Sequence, residues 1–174
     1  MVMNNVDSER KIIQVLHVDD DEDHFMISKR QIEKFDPLIN MTFISSPSDV
    51  LELLESFDCI VLDYKMPKFD GVQLAFTIRE TSDIPLILYT GHGGEEVASA
   101  AFEAGVDDYI LKESGASHYH LLSKRIRMVV EKYEHERMLR ANEAKFRAVA
   151  ERSIDVIYPS DMNGKSALSR KRNN

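Results

Sequence analysis

Cysteine is nearly missing from this chain of 174 residues, which has only Cys59. An internal disulfide framework is thereby excluded, and because Cys59 lies inside an apolar run it reads as a reduced, packed residue. No stretch approaches the roughly 18 consecutive apolar residues of a membrane span. Residues 1–11 are polar and lack a signal-peptide core. A cytoplasmic setting with no membrane contact is the expectation. Positive charge is scarce up to residue 116, with 9 Lys and Arg against 23 Asp and Glu; over residues 117–174 the balance turns to 13 against 7, giving a net charge of −8. An acidic body argues against nonspecific DNA binding, since phosphate backbones select basic surfaces. The basic tail interleaves its charges with Glu131, Glu134, Glu136 and Glu143, the pattern of a solvated helix face, so no direct DNA contact is expected there. The change of charge near Ser117 marks a candidate boundary.

What the chain does have is a regular alternation of short apolar runs with amphipathic stretches, and a hydrophobic content of 43%, enough for one core. The strand-like runs are 12–18, 41–44, 58–62, 85–89 and 108–111. Between them, helical patterns cover 21–35, 50–54 (opened by Pro47), 71–81 and 93–104, the last closed by Gly105 in the place of a left-handed C-cap. Five such units predict an α/β fold with helices on both faces of a parallel sheet. A flavodoxin-like order 2-1-3-4-5 would set the ends of the first and third strands side by side. Beyond Gly115 neither Gly nor Pro interrupts a helical pattern over about 119–150. Leu122, Ile126, Val129 and Tyr133 follow a 4-3-4 spacing, but Arg137 and Arg140 take the next apolar places, so a regular coiled coil is not sustained.

Charged residues stand where the predicted strands run out: Asp19 and Asp20 after the first, Asp63 after the third, Lys112 after the fifth. Ligands of open α/β sheets bind just beyond the carboxyl ends of the strands, so these groups point into one crevice. Three converging carboxylates repel one another unless a cation lies between them. An all-oxygen donor set with room for water and a phosphoryl oxygen suits Mg2+. Lys112 then serves as a point charge on that phosphoryl group, Thr90 donates its hydroxyl, and one carboxylate stays free as a nucleophile. The plainer reading is that these aspartates are strand-end caps, and Asp21, Glu22 and Asp23 fit a helix N-terminus better than a metal. His17 and His24 have no partner at metal-ligand spacing and read as structural.

The segments Val18-Asp19-Asp20, 62–71 (Leu-Asp-Tyr-Lys-Met-Pro-Lys-Phe-Asp-Gly), Tyr89-Thr90-Gly91 and 107–112 (Asp-Asp-Tyr-Ile-Leu-Lys) occur in one order on one βα frame. In this the chain resembles the receiver domain of two-component response regulators over residues 11–131. The resemblance implies that Asp63 accepts a phosphoryl group from a histidine kinase, and that Asp19, Asp20, Asp63 and the backbone carbonyl of Lys65 hold Mg2+. It further implies that Thr90 and Lys112 contact the phosphoryl oxygens. Tyr109 would be the aromatic residue that changes rotamer on activation, altering the surface of the fourth helix, fifth strand and fifth helix; otherwise it is a core aromatic. The protein would then be a phosphoacceptor and not an enzyme acting on other substrates.

Two departures stand out. Glu113 replaces the proline usual after the lysine, so a cis peptide is not expected there. The run Gly91-His92-Gly93-Gly94 is richer in glycine than its loop needs, and His92 stands where it would modulate water access to the phosphoryl group. The run 146–158 (Phe-Arg-Ala-Val-Ala-Glu-Arg-Ser-Ile-Asp-Val-Ile-Tyr), followed by 161–165 (Asp-Met-Asn-Gly-Lys), is similar to the opening of a PAS sensor domain; residues 132–148 then read as a helical linker and homodimer contact, and 149–174 as a truncated PAS-like start or a disordered tail. Two other functions compete: a phosphate-independent adaptor, and a Mg2+-dependent phosphatase with an aspartate nucleophile. Enzymes resembling haloacid dehalogenases carry a second aspartate two residues after the nucleophile, where this chain has Lys65, which disfavours the second.

Overall fold

The computed structural model describes residues 11–154 apart from 68 and 114. Five parallel strands, β1 (Ile13–Val18), β2 (Ile39–Ile44), β3 (Cys59–Leu62), β4 (Leu86–Thr90) and β5 (Asp108–Leu111), form one sheet in the order β2-β1-β3-β4-β5. The helices are α1 (Glu22–Phe35), α2 (Val50–Leu53), α3 (Gly71–Arg79), α4 (Glu95–Glu103) and α5 (Ala116–Ile154). This is the flavodoxin-like order expected above; the alternation of runs implies a parallel sheet but does not itself set the order of the strands. The chain divides into two units, Met1–Glu134 and His135–Asn174, with the boundary inside α5. The second unit is helical as far as Ile154, and the PAS-like reading of residues 155–174 lies outside the described residues.

Strand parity sorts the core. Leu16, Val18, Ile60, Leu62, Leu86 and Leu88 face one side with Val50, Leu74, Ala75, Ile78 and Ala101 of α2, α3 and α4. Val15, Cys59, Val61, Ile87 and Tyr89 face the other with Phe25 and Ile32 of α1 and Leu122, Ile126 and Val130 of α5. Burial on both faces explains why the strands read as continuous apolar runs and do not alternate. Each such Leu or Ile contributes about 1.5–3 kcal/mol by leaving water. On α5 the buried stripe takes Val130 where a 4-3-4 spacing points to Val129, because a straight helix repeats at 3.6 residues and not 3.5.

Local chemistry fixes the ends of the elements. Asp21 caps α1 by accepting from the His24 amide at 2.8 Å, and Asp70 caps α3 by accepting from Val72 at 2.8 Å. After α4, Gly105 takes φ +80°; its amide donates to Phe102 O and that of Val106 to Ala101 O, the two bonds of a Schellman ending. Arg79 ties the far side together. It donates to the carbonyls of Gly105 (2.8 Å), Ser82 (3.1 Å) and Ile84 (2.6 Å) and to Asp107 (2.9 Å).

Several element limits move by one to three residues from the sequence reading, and three differences bear on the local structure. β2 begins at Ile39, two residues early, because Ile39 and Asn40 pair with Ile13 and Gln14 on β1. The second helix is broken into a 3-10 turn (Pro47–Asp49), one α turn and another 3-10 turn (Leu54–Ser56). A two-residue antiparallel ladder joins Lys65–Met66 to Phe69–Asp70 in what reads as a plain loop.

Candidate functional site

Register brings the site together. Val18 pairs with Leu62, and the Asp63 amide donates to Val18 O at 2.9 Å, so the chain leaves β1 and β3 at adjacent points. Asp19, Asp20 and Asp63 each offer a carboxylate oxygen within 4.8 Å of the others. Asp19 and Asp63 are buried and Asp20 is exposed. From β5, the Lys112 amide donates to Thr90 O at 2.8 Å, which aims the side chain back across the strand ends. Its Nζ stands 2.7 Å from Asp19 Oδ2 and 3.1 Å from Asp63 Oδ1.

The main chain after each aspartate completes the cradle. The Asp21 amide donates to Asp19 Oδ1 at 3.0 Å, and the Lys65 amide to Asp63 Oδ2 at 3.2 Å. Gly71 makes the second turn possible. Its amide donates to Tyr64 O at 2.8 Å, and a Cβ on it would lie 2.1 Å from Asp63 O, a separation no real side chain tolerates.

Burial opposes ionisation of Asp19, but the His17 ring, the Lys112 ammonium and the Asp21 amide outweigh it and hold the carboxyl well below the usual carboxylate range. His17 Nε2 stands 3.5 Å from Asp19 Oδ2, at the outer limit of a hydrogen bond, and His24 Nδ1 4.0 Å from the same oxygen. Burial, then the charge on Lys112, pushes the His24 imidazole down. Sequence spacing leaves both histidines structural; the fold sets them against the carboxylate because His17 is two residues before Asp19 on β1 and His24 lies one turn into α1. Three carboxylates against one ammonium leave the four groups with an excess of negative charge, and all the donors are hard oxygens. That donor set fits Mg2+.

Thr90 is buried, and its hydroxyl is turned to the loop: it donates to His92 O at 3.3 Å and accepts from the His92 amide at 3.1 Å. Tyr109 is half-buried and its hydroxyl has no protein partner among the described residues. A Cβ on Gly93 would lie 2.4 Å from that hydroxyl and 2.1 Å from Leu111 Cδ2. Both atoms are the far ends of side chains that can turn aside, so the contact does not by itself demand glycine at 93, and Gly91 and Gly94 meet nothing within 4 Å. His92 lines a cavity with Tyr64, Lys65, Phe69 and Asp70.

The chain matches the family described as "Response regulator receiver domain" over residues 15–124. It is 32% identical over 99 residues to the transcriptional regulatory protein SrrA of Staphylococcus aureus (strain NCTC 8325 / PS 47), a match covering 57% of this chain and 41% of that protein. The chain thus spans less than half the length of that relative. Among solved structures, the Francisella response regulator 1452 receiver domain superposes with a TM-score of 0.60 at 25% identity, covering 70% of this chain and 98% of that one. The BeF3-activated DrrB receiver domain does so with a TM-score of 0.57 at 26% identity, covering 69% and 98%. No helix among the described residues is long and apolar enough to cross a membrane. With this match, over a frame whose strand ends gather three aspartates and a lysine, the chain belongs to the response regulator receiver family.

Proposed function

We propose that Asp63 is the phosphoacceptor of a two-component switch, charged by a histidine kinase with Mg2+ held by Asp19, Asp20, Asp63 and the Lys65 carbonyl. The observation that supports this most is the Lys112 ammonium placed between Asp19 and Asp63, beside an exposed third carboxylate. An Asp63 oxygen attacks the phosphorus of a phosphohistidine; the new P–O bond forms as the P–N bond breaks, and the electron pair returns to the departing imidazole. When bound, Mg2+ supplies charge neutralisation to the carboxylates and the phosphoryl oxygens. The remaining work is positioning and electrostatics, with no general acid or base required. Lys112 exchanges part of its contact with Asp63 for a phosphoryl oxygen, and Thr90 leaves His92 to donate to another.

Thr90 moving toward the phosphoryl group frees space for Tyr109 to turn inward, and the surface of α4, β5 and α5 changes with it. Reversing a 1:99 equilibrium takes about 5.5 kcal/mol of differential interaction, within reach of several charge-assisted hydrogen bonds in a partly dry crevice. The receiver occupies residues 11–131, with 132–148 as a helical linker that can pair two copies and 149–174 as a truncated PAS-like start or a disordered tail. The output goes to a protein partner or attached sensor module, in the cytoplasm, and not directly to DNA. Beryllofluoride mimics the phosphoryl group on aspartate, so 19F NMR with Mg2+ tests the assignment. Bound fluoride resonances are expected in the native chain and none in Asp63→Ala; none in either would overturn it.

A further inference from the structure

Tyr89 is the residue before Thr90 on β4. Parity turns it away from Leu88 and toward the face covered by α1 and α5, where it is fully buried. A residue whose task was only to fill that space would need no hydroxyl, and burying one without a partner is costly. The Tyr89 hydroxyl instead has a specific partner, His118 Nε2 at 2.8 Å, in the first turn of α5. The two rings also stack, with centroids 5.2 Å apart and planes 16° from parallel. His24 of α1 stacks on the same tyrosine at 6.0 Å and 30°. The ring is therefore fixed at its hydroxyl and against two neighbours. Lys112 Nζ stands over it, 5.4 Å from the centroid, while reaching Asp19 and Asp63.

We propose that Tyr89, locked by His118, is a positioning residue for Lys112. The inference deepens the receiver reading above and rests on it for the role of the lysine. A lysine is a point charge on a flexible four-carbon stem, and two carboxylates alone leave the ammonium free to follow either one. The negative face of an aromatic ring supplies a third, directional attraction, within the roughly 6 Å at which such contacts act. That third contact holds the ammonium between the two aspartates, where it meets a phosphoryl group on Asp63. It also ties the start of α5, the helix that leads out of the receiver unit, to the group that contacts the phosphoryl oxygens. No residue in the sequence reading carried this, because His118 is separated from Tyr89 by 29 positions and from any motif by the turn at Gly115.

The test uses the full chain with 13C-labelled lysine, free of metal, together with phosphorylation by acetyl phosphate and Mg2+. In the native chain the Lys112 side-chain protons are expected upfield of those of the other lysines, from the ring current of Tyr89. Tyr89→Leu should remove that shift and slow phosphorylation about fivefold, the effect expected of losing one cation–π contact at a partly dry site. Tyr89→Phe keeps the ring and loses the bond to His118, so its shift and rate should fall between those of the native chain and of Tyr89→Leu, which a general loss of packing would not give. His118→Phe, which keeps the stack and loses the bond, should weaken the shift while leaving the chain folded; it carries the test should Tyr89→Leu not fold. A native Lys112 at the position of the other lysines, or a folded Tyr89→Leu with native shift and rate, overturns the proposal. An unchanged shift in His118→Phe overturns the part given to His118. A native chain that shows the Lys112 shift yet takes no phosphoryl group, under conditions that phosphorylate a control receiver, refutes the phosphoacceptor function proposed above and leaves the ring contact standing.

Discussion

Lys112 reaches back across 93 positions of sequence to place its ammonium 2.7 Å from Asp19 Oδ2, a carboxylate that is 1% exposed. Among the described residues this ammonium is the cation nearest that buried charge. Lys112→Ala leaves Asp19 and Asp63 facing each other, and with the lysine itself 17% exposed the expected loss is about 2 kcal/mol, below the full penalty for an orphaned buried ion. Because Mg2+ supplies the missing charge, it should stabilise Lys112→Ala more than the native chain. Urea unfolding with and without Mg2+ checks this, and equal Mg2+ effects on the two would refute it.

Gly71 and Gly91 separate a glycine required by contact from one that is not. A methyl group on Gly71 meets the Asp63 carbonyl, whereas on Gly91 it meets nothing within 4 Å. Gly71→Ala should cost about 2 kcal/mol and displace the Asp63 turn, with phosphorylation falling accordingly. Gly91→Ala should stay within about 0.5 kcal/mol of the native chain. Thermal unfolding and acetyl phosphate kinetics on the two variants read out the contrast.

Tyr109 buries a hydroxyl that has no protein partner among the described residues. Removing it in Tyr109→Phe should raise stability by up to about 1 kcal/mol, since a buried unpaired donor carries its desolvation penalty. Gly93→Ala should displace the same ring by contact and alter its NMR resonances before any phosphorylation. A Tyr109→Phe variant less stable than the native chain would count against this description of the ring.

Stability should fall in two steps as pH is lowered without metal. Burial holds His118 below its ordinary value of 6.5, with Glu113 opposing, and burial followed by the Lys112 charge does the same for His24. Below about pH 6.5 the unfolded chain therefore binds more protons than the folded one, and stability drops until the folded histidines protonate too. Asp19 has the same sign: its contribution is complete above its ordinary value of 3.8 and is lost as pH falls toward its lower folded value. His118→Gln should shrink the first step and leave the second. Melting curves between pH 3 and 8 measure the first step and the onset of the second.

Much of this was readable in the sequence because strand ends carry their own punctuation. Asp19, Asp63, Thr90 and Lys112 each follow an apolar run, and the sheet order brings them together without further information. What could not be read depends on side-chain direction. Thr90 bonds its own loop and not the carboxylates, His17 turns toward Asp19 by strand parity, and His118 meets Tyr89 only after α5 packs on the sheet. The ladder of Lys65–Met66 with Phe69–Asp70 is too short to leave a period-2 signal, and β2 owes its first two residues to pairing with β1 and not to local propensity.

The most direct test of the central claim is intact-mass analysis after incubation with Mg2+ and acetyl phosphate, on the native chain and on Asp63→Asn. The account predicts the gain of one phosphoryl group, dependent on Mg2+, in the native chain alone. A gain of equal size in Asp63→Asn, or none in the native chain under conditions that phosphorylate a control receiver, would contradict it.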